Sequence, residues 1–477
     1  MKFNMLNKYI LLLSSIFYFI FWAQFAGSYN PIAPDSNGYL YFFSGTDAGF
    51  QRLAGYPAFL LLMTNLKFSL IQIGYIQLGI FVFSLYFFLD SLLRFGISKL
   101  IVGILFIGLL ANPFFNKFHF IILTESLSFS FLLIFLGLII FLIRGITNAR
   151  IILLGTVIGF LAAMKPVSLI FFPIGLITLF MLFLISNSRS FQKNLLSLFL
   201  LCAPCLIILS AEKVVFFSAH DEKYSQITEH FYGKSIMSTT FSNYKSFDDN
   251  LPESEMLKLL DEKYSSDQKY LESLEDFSEK LAIYSLLEND AYKHADLNNE
   301  LARIASENDL EPLELKKAII FYSLKNNPSV FLRMTLRHYF SFFNIYPSGE
   351  YYNKNGGPEH LINQAIDFSS STARSLVHNS FLIFGGLFYL FTILILIKSL
   401  QLMFLNNFIK YLKANQIYLL IIILTVLTHS IHLSHAIFGV YVPRYLMFSY
   451  PYIILFELLV IQQIVKLKKF SSTRKLS

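Results

Sequence analysis

Five charged residues stand out because apolar sequence surrounds them. Asp35 lies in "PIAPDSNGYLYFFSG", Arg52 in "QRLAGYPAFL", Glu125 in "FHFIILTESLSF", Lys165 in "AAMKPVSLIFF" and Arg444 in "VYVPRYLMFSYP". Carboxylates are the residue type that takes a proton from an attacking hydroxyl. Lysine and arginine are the types that clamp a phosphate through charge-assisted hydrogen bonds. Each cation has a proline nearby, and proline in the first turn presets a helix start without wasting an N–H. A helix N-terminus adds free N–H groups and a partial positive charge, a second attraction for an anion. Lys165 and Arg444 are therefore expected at helix starts, and Arg52 just ahead of a short surface helix beginning near Pro57.

Each residue also has a plainer explanation. Asp35, followed by Ser-Asn-Gly, is placed to close an Asx-turn. Thr124 is placed to cap a helix whose dipole Glu125 then complements. The cations are placed to snorkel toward lipid head groups. The plainer readings scatter these charges around the molecule. A chemical site gathers them, and gathering also offsets the ~2.5–3.5 kcal/mol that each charge costs at mid-bilayer.

The elements that must position them follow from composition. The 477 residues are 55% hydrophobic and only 14% charged, well below the quarter usual for soluble domains. Apolar runs of 18 or more residues recur, the signature of membrane helices. The expected fold is all-α: a polytopic membrane protein of about ten transmembrane helices with one large, mostly helical extracytoplasmic block. The spans are expected near 8–27, 69–89, 100–114, 123–143, 151–164, 167–186, 195–212, 377–398, 416–435 and 445–465. Three parts follow: an N-terminal transmembrane module over 1–212 with a first outer loop at 28–68, the hydrophilic block at 213–376, and C-terminal helices with a basic tail over 377–477. The first span, with Lys2 and Lys8 ahead of it, is read as a retained helix because no small-x-small cleavage site follows.

The net charge of +7 does not signal nucleic acid, because the basic residues occupy short loops between spans. Lys2 and Lys8, Arg94 and Lys99, Arg144 and Arg150, Arg189 and Lys193, and Lys410 and Lys413 fall in one set of loops. Together with the basic tail from Lys466 they place both termini in the cytoplasm. Asp35, Arg52, Glu125, Lys165, Arg444 and the 213–376 block then share the extracytoplasmic side. Frequent Ile, Lys and Asn with a single Trp indicate an AT-rich coding genome, hence a bacterial inner membrane.

Within the block, "PESEMLKLLDEKY" and "LEPLELKKAIIFYSLKNNP" carry helical apolar periodicity. "SVFLRMTLRHYFSFFNIYP", with Arg333, Arg337 and His338 among aromatics, suits a helix lying along a membrane surface. Cys202 and Cys205 form a CxxC inside an apolar run and are read as packing residues. His429, His432 and His435 in "THSIHLSHAIFG" have spacing that spreads around a helix flank, so hydrogen-bonded bundle histidines are favoured over a metal site. No P-loop, dinucleotide-binding glycine motif or nucleophile elbow is found.

In this order, the segments resemble the GT-C superfamily of membrane glycosyltransferases. The branch is that of the dolichyl-phosphate-mannose protein mannosyltransferases and the lipid A aminoarabinose transferase. "PDSNGYL" resembles the family's acidic residue after the first span, and "RLAGYPAFLLL" its Arg-x-x-Gly-Tyr-Pro-like segment. "ANPFFNKFHFIILTESL" is similar to its next outer loop, "GFLAAMKPVSLIFFPIGL" to its Lys/Arg-Pro segment, and "VPRYLMFSYPYIILF" to its Arg-Tyr ending. Many relatives carry two adjacent acids in the first loop or a second proline after the cation. Here Asp35 precedes Ser36, and "RLAGYP" has one proline.

The resemblance implies transfer of a sugar from a polyprenyl-phosphate donor to an acceptor hydroxyl on a glycan, lipid or protein, at the extracytoplasmic face and with inversion. Asp35 and Glu125 would be the catalytic carboxylates. Arg52, Lys165 and Arg444 would bind the donor phosphate, and Tyr39, Tyr56 and Tyr445 would position substrate. The resemblance specifies no cofactor, and a divalent metal ion stays open. Two rivals remain from other classes: a polysaccharide polymerase or ligase leaning on Arg333 and Arg337, and a lipid-linked sugar flippase or transporter. Carboxylates and cations around one cavity favour transfer, whereas a path of charges through the bundle favours transport.

Overall fold

A computed structural model describes residues 5–33, 35–44, 52–186, 190–220, 231–232, 235, 251–263, 269, 273, 295–326, 328–341, 371–438 and 446–473. Of the described residues 87% are helical, and no strand occurs among them. Among the described residues seven helices are long and apolar enough to cross a membrane, which makes this an integral membrane protein. The expected spans at 100–114 and 151–164 correspond to shorter apolar helices, Lys99–Leu110 and Asn148–Met164, and the expected span at 445–465 falls on a helix, Leu446–Thr473, that is not among the seven. Asn112-Pro113 follows the first and Lys165-Pro166 the second, and a proline cannot continue the hydrogen-bond ladder behind it.

In chain order the helices are α1 Met5–Ala23, α2 Ser36–Leu40, α3 Gly55–Asn65, α4 Leu70–Phe95, α5 Lys99–Leu110, α6 Glu125–Arg144, α7 Asn148–Met164, α8 Phe171–Ile185 and α9 Phe191–Ala219. They continue as α10 Pro252–Lys263, α11 Ala295–Glu307, α12 Pro312–Asn326, α13 Pro328–Ser341, α14 Ser371–Phe404, α15 Phe408–Ala414, α16 Gln416–Phe438 and α17 Leu446–Thr473. The chain divides into two compact units. One comprises Met1–Glu222, Gly386–Ser430 and Phe448–Ser477, and the other Lys223–Gly385 and Ile431–Met447.

In the first unit α6 is the central element, packed on α4 and α7, with α9 on the far side of α7. It has no polar face to speak of, as a helix surrounded by other helices requires. A Cβ on Gly155 of α7 would lie 2.2 Å from the Leu201 carbonyl oxygen of α9. Only a glycine allows that approach, which is how small residues tighten helix pairs in a membrane. The ends are set locally: Ser69 and Gln72 form a capping box at the start of α4, and Gly96, at φ 95°, closes it in the left-handed region.

The second unit holds a small core of its own. Met256, Leu257 and Leu260 of α10 meet Leu301, Ile304 and Ala305 of α11 and Leu315 and Ile319 of α12, with Tyr232 alongside. The amphipathic periodicity of these segments is thus satisfied by packing among themselves.

Candidate active site

Asp35 precedes α2, where its side chain makes no cap hydrogen bond. The turn is instead held by the Ala33 N–H donating to Ser36 Oγ at 2.8 Å. The Asp35 carboxylate therefore does not serve the Asx-turn; its Oδ1 accepts from Arg52 Nη2 at 2.9 Å. Glu125 opens α6, and Thr124 makes no side-chain cap there either. The Glu125 Oε1 lies 3.7 Å from Lys165 Nζ, with both side chains almost fully buried. Glu125 does sit in the first turn of α6, where its charge complements the helix dipole, but each acid also faces a cation from another segment of the sequence.

Tyr39 links the two pairs. Its ring receives the Arg52 guanidinium at 4.9 Å, and its phenol shares a hydrogen bond with Thr124, the neighbour of Glu125. Burial pushes this phenol above its ordinary value; Arg52 acts in the opposite sense, and Glu125 and Asp35 add to the rise. Tyr39 thus stays neutral and feels three of the four charges. Tyr56 packs edge-on against it at 5.2 Å, and burial raises its phenol as well. The Tyr56 hydroxyl donates to Gln77 Oε1 at 2.8 Å, and Gln77 Nε2 donates to the His119 carbonyl at 3.0 Å. Six of the eight expected site residues, Asp35, Tyr39, Arg52, Tyr56, Glu125 and Lys165, are joined by this network. Arg444 and Tyr445 lie outside the described residues.

The backbone explains how such distant residues meet. Lys165 is extended, at φ −148° and ψ 118°, between the last residue of α7 and the turn Pro166–Ile170 that Pro166 begins. Arg52 comes just before α3, whose first residue is Gly55. A Cβ on Gly55 would lie 2.6 Å from the Ala163 carbonyl oxygen. The missing side chain lets the Arg52 segment lie directly on the strand of chain that carries Lys165. A further residue holds it there. Glu212 of α9, buried, accepts from the Ala54 N–H at 3.1 Å and lies 3.8 Å from Lys213. Sequence reasoning missed Glu212, because an acid next to a lysine at the end of an apolar run looks like a solvated boundary. Its burial was the unseen signal.

A second polar group lies beside α6. Lys117 is buried in the turn Lys117–His119, and burial brings its amine down to about 8. His119, in the same turn, pairs its Nδ1 with Ser126 Oγ at 2.8 Å, and burial holds its ring at about 3.

Among the described residues no three His, Cys, Asp or Glu side chains are placed to hold a metal ion. His429 pairs with Thr392 Oγ1 at 3.1 Å, and His435 Nδ1 with the Ile431 carbonyl at 2.8 Å. Cys202 and Cys205 are free thiols. Compared with known proteins, the chain matches no family model and no curated sequence.

Proposed function

We propose that this protein is a membrane glycosyltransferase that moves a sugar from a polyprenyl-phosphate donor to an acceptor hydroxyl. The observation that carries the reading is the convergence of two carboxylates and two cations, from four separated segments, around Tyr39. The setting we infer is a bacterial inner membrane crossed about ten times, with both termini inside and the cluster at the outer face, as the loop charges argue.

A polyprenyl tail remains in the bilayer, so its phosphate must be held where helix ends meet water. Lys165 lies at such an end, and Arg52 beside it. The incoming phosphate competes for both cations, which the carboxylates hold in the ligand-free protein. Once Arg52 turns to the phosphate, Asp35 is released to accept the proton of the acceptor hydroxyl. The hydroxyl oxygen bonds to the anomeric carbon while the bond from that carbon to the phosphate oxygen breaks. The departing polyprenyl phosphate gains negative charge, and Lys165, Arg52 and Arg444 stabilise it. Glu125 orients Lys165 and, with neutral Tyr39 and Tyr56, the sugar. One displacement inverts the anomeric centre. The donor set does not fit a divalent ion as it stands, because each carboxylate already faces a cationic side chain, and no step is routed through one.

The test is direct. Purified protein in nanodiscs is supplied with a labelled polyprenyl monophosphate sugar and a mixture of membrane glycolipid acceptors. Release of polyprenyl phosphate with an inverted glycosidic product supports the reading. Movement of intact donor across a bilayer, with no bond cleavage, supports a flippase and overturns it.

A further inference from the structure

We infer that the second unit rests on the bilayer surface through the exposed faces of α12 and α13, which fit an anionic lipid interface. The unit is split in charge. Its α10 and α11 region is acidic, with Glu253, Glu255, Asp261 and Glu262 on α10 and Asp296, Glu300 and Glu307 on α11. From Leu315 to Ser341 no Asp or Glu occurs, while Lys316, Lys317, Lys325, Arg333 and Arg337 do. The same stretch carries Phe321, Tyr322, Phe331, Tyr339 and Phe340.

The three-dimensional arrangement separates core from surface along each helix. Leu315 and Ile319 of α12 point into the small core. Lys317, Phe321 and Lys325, four residues apart and thus on one stripe, are exposed. On α13 Thr335 is buried, whereas Leu332, Arg333 and Leu336 are exposed. Phe321 is 72% exposed, Leu332 56% and Leu336 41%. Large apolar side chains standing in water beside cations match an interfacial helix face; Glu314, exposed in the first turn of α12, is the one acid on these two helices. Each cation near an anionic leaflet contributes about 1 kcal/mol of attraction, and the apolar side chains enter the head-group boundary. The protein carries its own membrane spans, so a bilayer is always present. The inference concerns placement of the unit and does not rest on the transferase reading.

The test uses the full chain with Cys202 and Cys205 replaced by alanine and one nitroxide at Leu332→Cys, reconstituted in nanodiscs containing anionic phosphatidylglycerol. Collision with oxygen, which partitions into lipid, is compared with collision with a water-soluble nickel chelate. A label at Glu262→Cys on α10 is the reference. The expected result is an oxygen-to-nickel ratio several-fold higher at 332 than at 262. Lys317→Glu, Lys325→Glu and Arg333→Glu together should lower the ratio at 332 while leaving 262 unchanged. A nickel-accessible label at 332 would overturn the inference by showing a solvated face. Shielding from both reagents would overturn it too, by showing that a second copy or another protein covers the face.

Discussion

The same residue types are used in opposite ways in the two units. On α11, Arg303 makes contacts of 2.9, 2.9 and 2.7 Å to Glu255, Glu300 and Glu307, all well exposed. The pair of Lys165 and Glu125 is looser, at 3.7 Å, yet its side chains are only 12% and 4% exposed. By distance the first network is the stronger. By energetics it is the cheaper, because water screens it and would solvate its members just as well. A buried pair must offset the desolvation of both charges, and apolar residues of similar volume often do better for stability. What a buried pair offers is charge held ready in a place where charge is worth more. Surface ion pairs decorate a fold, whereas the buried Lys165–Glu125 pair is a cost that the proposed chemistry would explain.

The largest effect that would sharpen this contrast is on rate. Asp35→Asn keeps the size and hydrogen-bonding shape of the side chain but removes its basicity. Transfer should fall ~10²–10⁴-fold, measured as product formation at saturating donor. Next comes Lys165→Met, which leaves the buried Glu125 carboxylate without its cation. Breaking one side of a buried pair costs about 3–5 kcal/mol, read as a lower thermal midpoint in detergent. Adding Glu125→Gln should recover much of that midpoint without restoring transfer. If the single and double variants melt alike, the pair is solvated and the contrast disappears.

Gly55→Ala tests the contact that brings the two halves of the site together. Its Cβ would collide with the Ala163 carbonyl, and overpacking of this kind costs ~1–3 kcal/mol. Arg52 should move with the displaced backbone, so donor affinity should fall alongside stability. An alanine variant with unchanged donor binding would separate the glycine from the site.

Smaller still is a pH effect. Burial holds Lys117 at about 8 against an ordinary 10.5. Between those values the unfolded chain binds more protons than the folded one, so stability rises with pH across that window. Lys117→Met should flatten that rise and raise the midpoint most below pH 8. Arg303→Ala gives the smallest effect: transfer unchanged and the melting midpoint of the whole protein essentially unmoved. A marked loss there would mean that the exposed network matters as much as the buried one.

The sequence made the candidate residues legible because a charge in apolar surroundings is expensive and therefore conspicuous. Asp35, Arg52, Glu125 and Lys165 were each visible for that reason, and Tyr39 and Tyr56 through the segments around them. Their partners were not visible. Asp35 and Glu125 each had a local use, as turn former and as dipole complement, and nothing nearby in sequence shows that a cation elsewhere would claim the carboxylate. Gly55 was read as part of a motif, while its close approach to Ala163 depends on a helix more than a hundred residues later. Glu212 binds a backbone N–H, and backbone groups carry no residue signature. The all-helical membrane class followed from summed hydropathy, but the number of long spans did not. Hydropathy adds up along a run, and Lys99–Leu110 and Asn148–Met164 stop where Asn112-Pro113 and Lys165-Pro166 interrupt the helices.

The central claim is that the cluster around Tyr39 separates base from anion clamp. The most direct measurement determines polyprenyl phosphate binding and sugar transfer separately, on the same nanodisc preparations, for wild type, Asp35→Asn and Lys165→Met. The account predicts that Asp35→Asn binds polyprenyl phosphate at least as well as wild type, since Arg52 loses its competing carboxylate, yet transfers almost no sugar. Lys165→Met should lose binding. Transfer by Asp35→Asn at the wild-type rate would contradict the account, because Asp35 would then be no more than the ion-pair partner that keeps Arg52 in place.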